Sequence, residues 1–271
     1  MTSLLVFVLG LFVALAAGGE ACAAPGRSAA LRKRPESYGR SFYRNLSKRL
    51  SRDREAYPDL SDEAFANFRA VTTTGMGEGK LYRSSSPVKA WGNRNAIADN
   101  AARAAGVRTF VNLADTEREM RTRRVFAGSY YSSQTIVGLG LGVKFQGEGF
   151  RAGLARGVRF MAAGEPPFLV HCDLGKDRAG FVCAVLECLM GASAEEVAAD
   201  YLVSFYNYFG IRPGTRDYDF VANNEIRAAL ARAFGLKSIV GADLAAAAER
   251  YLLDIGVPAG DIAALRDKLG P

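Results

Sequence analysis

The chain has 271 residues, of which 49% are hydrophobic and 23% charged, with a formal net charge of +7. This length and balance describe one globular domain with extensions, able to bury a core without staples, and exclude a disordered or fibrous chain. One histidine and four cysteines without a close cysteine pair leave almost no material for a zinc site, so no metal or other cofactor is expected.

Leu4 to Ala17 is apolar apart from Gly10. That run is too short to span a bilayer, which needs roughly 20 residues, but it suits the apolar region of a secretory signal. Ala21-Cys22-Ala23 supplies the small residues of a cleavage site. Met1-Thr2-Ser3 lacks the usual positive charge, which is the weak point of this reading. Residues 1–24 are expected to be a signal peptide that exports the protein to the periplasm, cell surface or medium. Its removal would leave Cys172, Cys183 and Cys188, an odd set that forms no disulfide framework. Cys183 and Cys188 read as buried apolar residues of one helix.

Residues 25–58 alone carry +7, whereas 59–271 sum to +1. The basic character therefore belongs to an arm, read either as a contact with an anionic surface or as a solvated linker. The arm shows no nucleic-acid reading motif, so a nucleic-acid partner is not expected. The sequence gives no sign of oligomeric state.

The domain is expected over 59–271. Ser61-Asp62-Glu63 opens a short helical stretch ahead of the glycine-rich turn Gly75–Gly79, and Leu81-Tyr82-Arg83 leads into Ser84-Ser85-Ser86-Pro87. Asn95 to Ala105 reads as a helix closed by Gly106, and the β-branched run Val107 to Leu113 as a strand. Phe150, Leu154, Val158 and Met161 recur at helical spacing. Gly164 and Pro166-Pro167 break that helix before the short apolar run Phe168–Val170, a buried strand. Arg178 to Met190 reads as a buried helix ended by Gly191. Ser193 with Glu196 forms a capping box for the next helix, which turns Val197, Tyr201, Leu202 and Phe205 inward. Two further helices, near Asp243–Ile255 and Asp261–Leu269, close the chain. Helices alternating with short apolar strands predict an α/β layered domain with a short, mostly parallel central sheet and a helical C-terminal part.

Between the strand at 168–170 and the helix from Arg178 lies His171-Cys172-Asp173-Leu174-Gly175-Lys176-Asp177-Arg178-Ala179-Gly180. A strand, a tight loop and a helix N-terminus bind phosphate well. Free first-turn amides, the helix dipole and successive loop amides all present positive potential there. That field favours thiolate at Cys172, with a pKa below the ordinary thiol value. A thiolate under a bound phosphoryl group is aimed at phosphorus, and the planar fork of Arg178 suits two phosphate oxygens. His171 has no second histidine or carboxylate beside it in sequence. It is poorly equipped as a base and is read as orienting the loop from the strand end.

This stretch resembles the H-C-x5-R-[S/T]-G signature of the protein tyrosine phosphatase superfamily. It is closest to the atypical bacterial tyrosine and lipid phosphatases, and to phosphoinositide phosphatases with a loop lysine. The likeness extends from about Gly79 to the C-terminus through the segment 81–87, Ala114-Asp115-Thr116-Glu117 and Ala199-Asp200-Tyr201-Leu202. The resemblance implies a tyrosine-phosphatase-like fold and a phosphomonoesterase working through a phosphocysteine. Cys172 matches the nucleophile and Arg178 the phosphate-binding arginine. Asp173, Leu174, Gly175, Lys176 and Asp177 match the cradling loop. The general acid is Asp177 or Asp115, with a loop brace and a helix N-cap as their respective structural alternatives. Arg83 is a weaker substrate contact, with a surface arginine as its alternative. Lys176 suits a second phosphate, so phosphotyrosine proteins, phosphoinositides and soluble inositol phosphates all stand as substrates. Ala179 departs from the Ser or Thr of the signature, which keeps open a weakly active or inactive phosphate-binding module. A rhodanese-like sulfurtransferase has no need of Lys176-Asp177-Arg178.

Overall fold

The computed structural model describes residues 34–271. The expected signal peptide, with Cys22, lies outside the described residues. The chain divides into two compact units, up to Leu50 and from Ser51 to Pro271. In the first, helix α1 (Arg34–Arg49) sets Tyr38, Phe42 and Leu46 at four-residue spacing along one side, with the Tyr38 and Phe42 rings stacked at 6.1 Å. Arg40, Arg44, Lys48 and Arg49 are exposed. The basic arm is thus largely helical over its described part.

The second unit begins ahead of the expected start at 59, because Tyr57 already packs into it. The Tyr57 ring lies 5.5 Å from that of Phe65, and its hydroxyl donates to the carbonyl of Tyr208 at 3.4 Å. Its elements are α2 (Asp62–Phe65), β1 (Arg69–Ala70), β2 (Leu81–Ser84), α3 (Asn95–Ala104), β3 (Thr109–Asn112), α4 (Glu117–Arg121), β4 (Thr135–Gly138), α5 (Glu148–Ala163) and β5 (Phe168–His171). There follow α6 (Asp177–Met190), α7 (Ala194–Phe209), α8 (Arg216–Val221), a π-helical turn (Ala222–Ile226), α9 (Arg227–Phe234), α10 (Leu244–Asp254) and α11 (Ala259–Leu269). The capping box of α7 is formed as expected, with Ser193 and Glu196 exchanging hydrogen bonds.

The sheet order is β1-β2-β5-β3-β4. β1 pairs antiparallel with β2, and the other pairings are parallel. Register aligns Ser84 and Asn112 on either side of His171, and Gly138 beside Asn112. The ends of all four parallel strands therefore stand in one row, and β5 is central. All four residues of β5 are buried, as a parallel strand covered on both faces requires.

Side-chain alternation sends Phe110 and Leu169 to one face, into a cluster with Val88, Ala102, Val107, Met120, Phe126 and Tyr131. Val111 points the other way, toward Gly157 of α5. On that side α6 packs against β5 and β2, with α10 and α11 behind α6 and α5. α6 is buried from Ala179 to Leu189, including Cys183 and Cys188, so the two cysteines are interior residues as read from the sequence.

Three features depart from the sequence reading. β1 has two residues and β4 is a short edge strand, too brief to show a period. α8 and α9 occupy 216–234, where only the two later helices were expected, because the π-helical turn through Asn223-Asn224-Glu225 breaks the 3.6-residue pattern. The N-cap of α4 is Thr116, not Asp115: the Thr116 hydroxyl accepts from the Glu119 amide. Among the described residues, no helix is long and apolar enough to cross a membrane, and no three potential ligand side chains gather into a metal site.

Candidate active site

Residues 172–176 connect the end of central β5 to the N-terminus of α6, at the carboxyl edge of the parallel strands, where open α/β sheets bind ligands. The carbonyls of the loop are tied down from behind. That of Asp173 accepts from the Ser86 amide at 3.2 Å. That of Leu174 accepts from Asn67 Nδ2 at 3.0 Å and from the Tyr208 hydroxyl at 2.6 Å. Those of Gly175 and Lys176 accept from Arg83 Nη2 at 2.9 and 3.2 Å. Four successive carbonyls held on the scaffold side turn the intervening amides the other way. Among the described residues, no backbone carbonyl accepts from the amides of Leu174, Gly175 or Lys176. Three successive amides left without a backbone acceptor beside a helix N-terminus are what an anion nest requires.

Two glycines make this path possible. Gly175 has φ +67°, and a Cβ there would lie 2.2 Å from the Ser84 carbonyl oxygen. A Cβ on Gly180 would lie 2.6 Å from both Arg83 Nη2 and the Tyr201 ring. Close approach of the loop to β2 and of α6 to α7 therefore requires glycine at both positions.

Cys172 sits buried at the base of the loop. Arg178, in the first turn of α6, donates from Nη1 to the Leu141 carbonyl at 2.8 Å and from Nη2 to Asp173 Oδ2 at 2.7 Å. Burial alone would lower its pKa, but the negative charges of Cys172 and Asp173 outweigh burial and raise it. Lys176 is folded over the Phe205 ring, 4.4 Å from its centroid, and pairs with Asp177. Its burial is likewise overcome, first by Asp177, with Glu225 and Cys172 adding to it, and its pKa rises. Two cations thus respond to the sulfur of Cys172.

The two acid candidates occupy different surroundings. The Asp177 carboxylate is 41% exposed at the lip of the loop. That of Asp115 is 2% exposed, paired with Arg123 and 3.6 Å from Lys89 Nζ. His171 is fully buried in β5, its Nε2 3.0 Å from the Tyr131 hydroxyl. Burial drives its pKa down to about 4, against a smaller opposing effect of Asp115. It is a neutral strand residue, not a group positioned to take up a proton from solvent.

Arg83 is placed differently from the expectation of a substrate contact or a surface arginine. It has no exposed surface, and besides the two loop carbonyls it holds Asp200 Oδ2 at 2.5 Å. Its guanidinium lies beneath the loop, on the side away from the amides. Arg69 grips the same Asp200 at 2.9 Å. The two guanidiniums outweigh burial and hold the Asp200 carboxyl at about 2. Fully buried Glu187 on α6 completes this group; burial and the neighbouring Asp200 raise its pKa well above the ordinary carboxylate value. Sequence reasoning did not single out Asn67, Lys89 or Glu187. For Asp200 the only signal was its place in the segment shared with the family.

Residues 143–270 match a model described as the tyrosine phosphatase family. Over this stretch the chain is similar to the tyrosine phosphatase family. The match covers Cys172, Lys176, Asp177, Arg178 and Asp200, while Asn67, Arg83, Lys89 and Asp115 precede it. The chain is also similar to the triple specificity protein phosphatase PtpB of Mycobacterium tuberculosis, with 45% identity over 56 residues. That similarity covers 21% of this chain and only about a fifth, 20%, of the relative.

Proposed function

We propose that this protein is an exported, cysteine-dependent phosphomonoesterase acting on phosphotyrosine or on phosphoinositide and inositol phosphate substrates. The observation that carries the reading is the loop whose four carbonyls are anchored on the scaffold side, with Cys172 at its start and Arg178 at the following helix terminus. The family match and the named specificity of the mycobacterial relative support it. Export rests on the pattern of residues 1–24, and N-terminal sequencing of protein from the native host tests it: Met1 intact on cytosolic protein overturns it.

In the proposed chemistry the loop amides and Arg178 hold three phosphoryl oxygens. The Cys172 thiolate forms the S–P bond as the bond from phosphorus to the leaving oxygen breaks. Asp177, solvent-accessible at the loop lip, gives its proton to that oxygen. It then takes one from the water that cleaves the S–P bond and releases inorganic phosphate. Buried Asp115, fixed by Arg123, is the less accessible acid.

The test uses an aryl phosphate, a phosphotyrosyl peptide and an inositol phosphate with EDTA present. Cys172→Ser should abolish turnover of each substrate that the wild type hydrolyses while retaining binding. Undiminished turnover in that variant overturns the cysteine mechanism.

A further inference from the structure

A line of alternating charges crosses the mouth of the loop from outside the family-matched region. Arg123 pairs with Asp115, Lys89 Nζ lies 3.6 Å from the same Asp115 oxygen, and Lys89 also pairs with Oδ1 of Asp173. The other oxygen of Asp173 receives Arg178 Nη2 at 2.7 Å. One carboxylate is therefore clasped by an ammonium on one side and a guanidinium on the other. That is how two oxygens of a phosphate would be met by the same cations.

The two cations come from separate elements, and each has a contact besides the Asp173 carboxylate. The amide of Lys89, beyond the end of β2, donates to Ser86 Oγ at 3.1 Å, and the Ser86 amide in turn holds the loop. Nη1 of Arg178 is fixed on the Leu141 carbonyl. Asp115 is 2% exposed and anchored by Arg123, so it keeps a negative partner near Lys89 whatever Asp173 does. The Asp173 carboxylate, in contrast, is 39% exposed and Lys89 is 25% exposed. A carboxylate so placed can swing into water without a charge crossing the interior.

We propose that Lys89 is a substrate-binding cation of this site, and that the Asp173 carboxylate is its resident occupant, seated between Lys89 and Arg178 until a substrate phosphate displaces it. The inference rests on the phosphatase reading above and adds a residue and an internal competitor to it. A phosphate dianion brings more charge to the two cations than a single carboxylate does, so it wins the exchange. Singly charged anions gain little over Asp173 and are disfavoured, and this selects for phosphomonoesters.

The experiment measures inhibition of aryl phosphate turnover by inorganic phosphate, and its direct binding by calorimetry, on the full chain. Asp173→Asn keeps the shape and removes the competing charge. It should tighten phosphate about tenfold, the size of one charge-assisted hydrogen bond, and Asp173→Ser should do the same. Lys89→Met should weaken phosphate and raise KM together by about tenfold, and Lys89→Arg should restore most of both. Looser or unchanged phosphate binding in both Asp173 variants, or unchanged binding in Lys89→Met, overturns the inference while Cys172-dependent turnover stands. Turnover that survives Cys172→Ser overturns the phosphatase reading instead.

Discussion

Replacing Arg83 separates a loop anchor from a substrate contact. Arg83→Met keeps much of the side-chain volume but leaves the Gly175 carbonyl without its donor, the Lys176 carbonyl with the Gly180 amide alone, and Asp200 with Arg69 as its remaining guanidinium partner. Removing one member of a buried ion pair costs about 3–5 kcal/mol, and each buried acceptor stranded without a donor about 1–3 kcal/mol. Retention of Arg69 on Asp200 offsets part of this, so a loss of about 3–5 kcal/mol is expected. At roughly 2–4 °C per kcal/mol for a domain of this size, Tm should fall by about 6–20 °C. Thermal unfolding followed by circular dichroism reads this directly. Turnover well below the new Tm should fall mainly in kcat/KM, because the freed carbonyls let the amides turn out of the nest. Arg83→Lys should recover only part of the loss, since one ammonium lacks the planar fork that spans a carboxylate and two carbonyls. An Arg83→Met protein with wild-type Tm and a raised KM would refute the anchor and make Arg83 a substrate contact.

Four further outcomes are expected. Glu187→Gln should match the wild type in stability near pH 4, where the carboxyl is protonated folded or unfolded. It should exceed the wild type increasingly above the ordinary value of 4.5, because only the unfolded wild type then readily gives up its proton; a pH-independent difference in Tm refutes the raised pKa. Ala179→Thr, if the missing hydroxyl slows phosphocysteine hydrolysis, should raise kcat with kcat/KM nearly unchanged and remove a burst of phenol in rapid mixing; no burst and no change make Ala179 functionally silent. Asp177→Asn should lower kcat/KM for alkyl phosphates by about 10²–10⁴ and spare nitrophenyl phosphate; the same pattern in Asp115→Asn instead transfers the acid role. Deleting residues 25–50 should abolish salt-sensitive sedimentation with anionic vesicles, worth about 1 kcal/mol per basic residue at the surface, and leave aryl phosphate turnover intact; undiminished sedimentation removes the arm's surface role.

The part of the site that was legible in the sequence is the part that is contiguous. Residues 171–180 hold the proposed nucleophile, cradle and arginine in one strand–loop–helix connection, so spacing alone conveys their relation. The apolar runs at 107–113 and 168–170 likewise announce buried strands, because parallel strands covered on both faces need no alternation. What holds the loop in shape was not legible, because it is assembled across the fold. Arg83 lies 92 residues before Gly175 and 117 before Asp200. An arginine in isolation is read as a surface residue, and nothing local says that a carboxylate and two carbonyls will meet it in the interior. Asn67, 107 residues before Leu174, carries no signal either.

The anchoring also explains why so much polar material is buried beneath a small loop. A loop that turns its amides away from the scaffold needs its carbonyls satisfied on the interior side, where water does not reach, and unpaired buried carbonyls are costly. Arg83 answers two of them at once but brings a charge that must itself be neutralised. Asp200 does so, and Arg69 shares it, giving two guanidiniums for one carboxylate. Glu187 beside them is the group that keeps its proton, because Asp200, held near 2 by the same arginines, already takes the ionised role. The cluster is thus a consequence of the cradle: once four carbonyls face the interior, each later charge is the counterpart of the one before it. Its members lie on β1, β2, α6 and α7, so the loop at 172–176 takes its shape only when those four elements have come together.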